Sequence, residues 1–185
     1  MTKFLTFRYK AKKRALPRQT YQLSTTNKQR MIEKSAVQKA VEEWLEGKEY
    51  FLVDITVSAD DRIEVVIDHA EGVWIEDCAD LSRHIESRIN REEEDYELEV
   101  GSAGLGQPFR VLRQYEIHVG QPVETQTNDG HKYQGTLLKA DAEAFEIGVM
   151  QKVLEEGKKR PVKQEVAMRF TYDEVAFTRY LIKVK

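Results

Sequence analysis

The chain has a single cysteine, Cys78, in 185 residues. That excludes an internal disulfide and fits a reducing compartment. No apolar run approaches the roughly 20 residues needed to cross a bilayer as a helix. The N-terminus is basic but lacks the apolar core and cleavage site of a signal peptide, so a cytoplasmic protein is expected. Histidine is scarce and scattered: His69, His84, His118 and His131. Cys78 and His84 fall on one predicted helix but six positions apart, not at i, i+4. A zinc site needs three or four convergent ligands, and no such spacing exists here. A Walker-type phosphate loop is also missing. Neither a metal nor a cofactor is expected, and no small-molecule substrate.

Acidic residues are absent from residues 1–30, which carry nine Lys and Arg. Residues 31–104 reverse the balance, with seven basic and 21 acidic side chains, a net charge of −14. Residues 105–185 carry 13 basic and 11 acidic ones, a net +2. Three blocks of such different charge favour different neighbours. In the first, Lys10-Ala11-Lys12-Lys13-Arg14 suits a phosphate-binding arm, but nothing fixes a register. Residues 1–30 are expected to form a leader without fixed structure, placed ahead of the natural start, because Met31 opens the first well-patterned segment.

Residues 31–45 read as a helix, with Ile32, Ala36, Ala40, Val41, Trp44 and Leu45 on one stripe and Gly47 as its stop. Residues 50–58 and 62–69 alternate as a hairpin around Ala59-Asp60-Asp61, with Ile63, Val65 and Ile67 inward. Residues 75–90 read as a second helix, with Ile75, Cys78, Leu81, Ser82, Ile85 and Ile89 inward and Glu76 and Asp77 in its first turn. Trp74 precedes it and cannot cap a helix, so this start is expected to depend on Trp74 packing. Tyr96-Glu97-Leu98-Glu99-Val100 alternates as a third strand. Two helices on a three-stranded sheet, in the order α-β-β-α-β, give an α+β domain over 31–104.

Gly101, Gly104 and Gly106 with Pro108 then interrupt the pattern, and 105–113 is read as a junction. From 114 to 185 the signal is all-β: strands over 117–127, 131–139, 144–153, 162–170 and 176–184, with Asn128-Asp129-Gly130 as a hairpin turn. Val162, Val166, Met168 and Phe170 are predicted inward, and 171–175 as a short turn of helix. Five short strands with one helical turn before the last suggest a small SH3-like barrel.

The stretch 96–112 carries a resemblance. A Tyr-x-Leu-Glu-Val strand running into a Ser/Gly/Pro loop resembles the signature of the ribosome maturation factor P (RimP) family, which usually reads Leu-Glu-Val-Ser-Ser-Pro-Gly-Leu-Asp-Arg-Pro-Leu. Here Gly101 and Ala103 replace Ser and Pro, and Gly106-Gln107 replaces Asp-Arg. Val66-Ile67-Asp68 with Gly72, Asp77-Cys78, and Tyr172-Asp173-Glu174-Val175 extend the likeness over roughly 31–185. Trp74 stands where relatives often have a capping Thr. The resemblance implies the same two domains and a non-enzymatic factor that binds the immature small ribosomal subunit transiently, through ribosomal proteins and rRNA, as a monomer.

Contact residues are expected in two places. Ser102, Gly104, Arg110 and Arg113 lie at the junction, where backbone amides beside arginines suit phosphate. Gly101-Ser102-Ala103-Gly104 also spells the Gly-x-x-Gly of KH modules, but after a strand rather than between helices a junction turn is the better reading. Lys158, Lys159 and Arg160, flanked by Lys152 and Lys163, form a basic loop in the second domain. The acidic first domain repels phosphate and suits basic ribosomal proteins. Two other classes remain open on the residues alone: an Sm- or SH3-like adaptor outside ribosome assembly, and an enzyme holding a metal at Asp54, Asp68, Asp77, Asp80 and Glu92-Glu93-Glu94-Asp95.

Overall fold

The computed structural model describes residues 8–10, 32–89, 96–153 and 161–182. The chain divides into two compact units between Ala103 and Gly104. The first contains β1 (Arg8–Lys10), α1 (Lys34–Leu45), β2 (Phe51–Val57), β3 (Arg62–Asp68), α2 (Ile75–Arg88) and β4 (Glu97–Ser102). The four strands make one sheet in the order β1-β4-β3-β2. The sheet has four strands rather than three, because Arg8–Lys10 pairs antiparallel with β4. The rest of the basic leader lies outside the described residues.

β2 and β3 form the expected hairpin, with a bulge between Leu52 and Asp54. β3 and β4 run parallel, Ile63 beside Leu98 and Val65 beside Val100. A parallel pair needs a crossover, and α2 supplies it. Period-two alternation sends Ile63, Val65, Ile67, Leu98 and Val100 to one face, all fully buried. The helices cover that face. Val37, Ala40, Val41 and Trp44 form the buried stripe of α1, at i, i+3, i+4 and i+7. Ala36, one position off that stripe, is exposed. Cys78, Leu81, Ser82 and Ile85 are the inward side of α2. Each fully buried Leu, Ile or Val here contributes about 1.5–3 kcal/mol.

Two expectations about α2 fail. Ile75 is 39% exposed and Trp74 is 61% exposed. Trp74 is the N-cap in extended backbone, without a side-chain cap hydrogen bond. The helix start therefore rests on Val73, which packs on the core, and on Glu76 and Asp77 in the first turn.

The second unit runs α3 (Leu112–Ile117), β5 (Pro122–Thr127), β6 (Lys132–Ala140), β7 (Ala144–Val153), β8 (Val162–Thr171) and β9 (Val175–Tyr180). Its strands form one sheet in the order β8-β7-β6-β5-β9. No pairing among the described residues joins β8 to β9, so the sheet is open and barrel closure is not seen. Residues 112–117, part of which was predicted as strand, are helical instead. Tyr172 to Glu174 forms a tight turn rather than a turn of helix, closed by the Glu174 amide on the Thr171 carbonyl at 3.2 Å. Tyr115 from α3 inserts its ring among Phe109, Phe145 and Tyr172, with centroids 5.0–5.2 Å away. Val123, Leu137, Ile147 and Phe170 complete this core. The inward pattern of β8 holds for Phe170 but not for Val162, which is 38% exposed where β7 and β8 run on as a two-stranded ribbon.

β6 and β7 approach closely at two glycines, with Gly135 opposite Val149 and Thr136 opposite Gly148. A Cβ on Gly135 would lie 2.2 Å from the Gly148 carbonyl oxygen and 2.9 Å from its carbon. Backbone cannot yield to it as a flexible side chain would. Gly135→Ala is expected to destabilise the second unit by about 1–3 kcal/mol in urea unfolding, while Leu138→Ala, on the exposed face, shifts it by less than about 0.5 kcal/mol. Equal midpoints for the two variants would contradict the packing described.

Candidate functional site

β4 continues one residue past its end, through the Ala103 amide on the Ile67 carbonyl at 3.2 Å. Gly104 and Gly106 then take φ of 73° and 76°. This left-handed region disfavours side chains, so glycine is needed for its backbone freedom. Space is not the constraint at Gly106, where a Cβ would sit 3.7 Å from Ile182 Cδ1. Pro108 bridges to Arg179, and the Phe109 amide donates to the Thr178 carbonyl at 2.7 Å, fastening this segment to β9.

Ser102 is half-buried at the end of β4 in the first unit. Gly104, Arg110 and Arg113 belong to the second. Ser102 thus lies in one unit and the other three predicted junction residues in the other. Gly101 and Ser102 are strand residues, unlike a Gly-x-x-Gly loop between helices. Arg110 is exposed, and its amide donates to Gln114 Oε1 at 2.8 Å. Gln114 is 3% exposed and reaches back to the chain ahead of α3, as a capping-box residue does. Arg113 is exposed and pairs with Glu116 at 2.9 Å. An exposed pair of this kind is worth under about 1 kcal/mol, so Arg113 can exchange partners at little cost.

The second predicted place is the far end of the β7–β8 ribbon. Lys152 and Lys163 sit directly opposite each other in the ladder, both exposed. Like charges in that relation disfavour pairing unless an anion lies between them. Lys158, Lys159 and Arg160 belong to the connection between these strands, outside the described residues.

The histidines have separate local roles. His69 stacks on Tyr50 at 4.7 Å, and its Nδ1 accepts the Glu71 amide at 3.1 Å. His84 Nε2 lies 3.9 Å from Glu43, and His131 Nδ1 lies 3.0 Å from Asp129. His118 packs between Phe109 and Tyr180, with Nδ1 2.7 Å from the Gln114 carbonyl. Asp77 accepts the Tyr50 hydroxyl at 2.5 Å. Asp80 accepts the Trp44 indole N–H at 2.9 Å, which ties α2 to α1 and holds the Asp80 carboxyl below its ordinary range. Among the described residues no three His, Cys, Asp or Glu side chains converge as metal ligands would. Glu92 to Asp95 lie outside them. No helix among the described residues is long and apolar enough to cross a membrane.

One charged group escaped the strand pattern. Glu124 follows Val123 in β5 and should face out by alternation, yet both are buried. β5 is covered by β6 and β9 as neighbours, and Gln134 and Arg179 from those strands bond the Glu124 carboxylate at 2.8 and 2.7 Å. Those two bonds hold its pKa below the usual value. The only sequence signal was an acid among apolar and Thr residues, which does not name its partner.

Residues 40–106 match the family model described as the RimP N-terminal domain. A curated relative from Porphyromonas gingivalis is 40% identical over 140 residues, covering 75% of this chain and 92% of its own length. One from Christiangramia forsetii is 36% identical over 115 residues, covering 62% and 74%. One from Flavobacterium psychrophilum is 35% identical over 98 residues, covering 52% and 64%. All three are named ribosome maturation factor RimP.

Cys78 is 3% exposed. Burial pushes its thiol up to about 11, and the Asp77 charge adds to this. A raised acid pKa favours the native state below the unfolded value, and that contribution is lost as pH rises from about 8.5 through about 11. Native protein at pH 8 is expected to be alkylated at Cys78 on the order of a hundred-fold more slowly than protein in urea. Mass spectrometry of timed iodoacetamide reactions measures the ratio, and equal rates would rule out the buried thiol.

Proposed function

The chain belongs to the ribosome maturation factor RimP family, and from that premise we propose that it matures the small ribosomal subunit by binding the immature particle transiently. The observation that carries the proposal is the 40% identity extending over 92% of a curated relative's length. Such a factor needs no catalysis. It shifts the equilibrium between an immature and a finished particle if it binds one better than the other. The protein works in the cytoplasm as a monomer, without a cofactor.

The charge blocks support a division of labour. The first unit, net acidic, docks on basic ribosomal proteins. The second acts as an SH3-like small barrel whose loops reach rRNA through Lys158, Lys159 and Arg160, with Lys152 and Lys163 behind them. Ser102, Gly104, Arg110 and Arg113 add contacts where the chain passes between units. The facing Lys152 and Lys163 favour this reading, because a phosphate group would relieve their repulsion.

Cells lacking the protein are expected to accumulate immature small subunits, and the tagged protein is expected to cosediment with those particles. Normal maturation with no cosedimentation would refute the proposal. Replacing Lys158, Lys159 and Arg160 with Glu should weaken binding at all rRNA sequences alike and flatten its salt dependence by about one unit per lost phosphate contact. Filter binding across a salt series reads that slope.

A further inference from the structure

The start of α2 carries an apolar surface that the core does not use. Trp74 is 61% exposed and its neighbour Ile75 is 39% exposed. The other tryptophan, Trp44, is 5% exposed and hydrogen-bonded to Asp80. Val73, just before Trp74, packs against the core and holds the loop. A large aromatic is therefore presented from an anchored backbone, in the way interface hot spots are.

Its surroundings select the partner. Glu71 and Glu76 flank the pair in sequence and are exposed. Glu49, with its side chain 91% exposed, lies 3.7 Å from His69 at the base of the same loop. Asp77 follows, half-buried and bound to Tyr50. The block containing them carries a net −14. Phosphate would be repelled here, so stacking of an RNA base on the indole is disfavoured. An arginine- or lysine-rich protein segment would gain acid contacts at the rim and cation–π contact with the indole face.

We propose that Trp74 and Ile75, rimmed by Glu71 and Glu76, form a docking surface for a basic, extended protein segment, with Trp74 as its anchor. The proposal rests on the ribosome-maturation reading and names the kind of partner the first unit holds.

Two probes test it: small-subunit proteins freed of RNA, and small-subunit rRNA freed of protein. The proteins are expected to shield Trp74 from acrylamide quenching and to shift its emission to the blue; the rRNA is expected to do neither. Wild-type protein and Trp74→Phe provide the difference signal that separates Trp74 from Trp44. Trp74→Ala should weaken binding to the protein probe on the order of thirty-fold, while Trp74→Phe keeps most of it. Matching thermal midpoints for both variants show that the fold is intact. Unchanged affinity in Trp74→Ala, or shielding by rRNA, would overturn the docking surface while leaving subunit binding in place. Wild-type protein that binds neither probe nor immature subunits would overturn the functional reading as well.

Discussion

The parallel pairing of β3 with β4 is the constraint on which the first unit depends. Antiparallel neighbours can be joined by a turn, whereas these two must be joined by a crossover. α2 is that crossover, and its position fixes which of its residues are buried. Cys78, Leu81 and Ile85 face the sheet. Trp74 and Ile75, at its start, lie beyond the sheet-facing stretch. Because the strands are parallel, the end of β3, the start of α2 and the end of β4 all lie at one end of the sheet.

Charge follows the same division. Three acidic side chains of the first unit are held by partners within it: Asp80 by Trp44, Asp77 by Tyr50 and Glu97 by Arg62. Around the α2 start, Glu49 approaches His69 at 3.7 Å, and Glu71 and Glu76 are exposed. In the second unit the position is reversed. Its buried charge, Glu124, is neutralised by Arg179, and its like-charged lysines face each other at the solvent end of a ribbon. One unit thus offers spare acid to solvent and the other spare base.

Much of the fold was legible because burial imposes a period. The stripe of α1, the alternation of β2, β3 and β4 and the Asn128-Asp129-Gly130 turn could each be read from spacing. What could not be read depended on distant partners. α3 spans six residues, too few to show a helical stripe, and its helical state is set by Tyr115 entering the aromatic core. Arg8–Lys10 has no strand pattern of its own and pairs only because β4 offers an edge. Glu124 looked exposed because alternation cannot anticipate Arg179, 55 positions away. Trp74 was expected to pack because it cannot cap a helix; whether it has a neighbour is a property of the tertiary structure. Of the candidate contact residues, Arg110 and Arg113 are exposed, and the sequence gives no sign that Gln114, next to Arg113 in the chain, is buried.

The strand order of the first sheet also sets a schedule for synthesis. β2 and β3 can close as a hairpin soon after both leave the ribosome, since they are neighbours in the chain. β3 then presents a bare edge until α2 and β4 have followed. β1, the earliest strand made, pairs among the described residues with β4 alone, and β4 is the latest of the four. Nascent chains therefore pass through an interval with an unpaired apolar edge, the form in which strands join the wrong neighbour. The acids that crowd residues 31–104 repel one another between chains during that interval and keep growing copies apart.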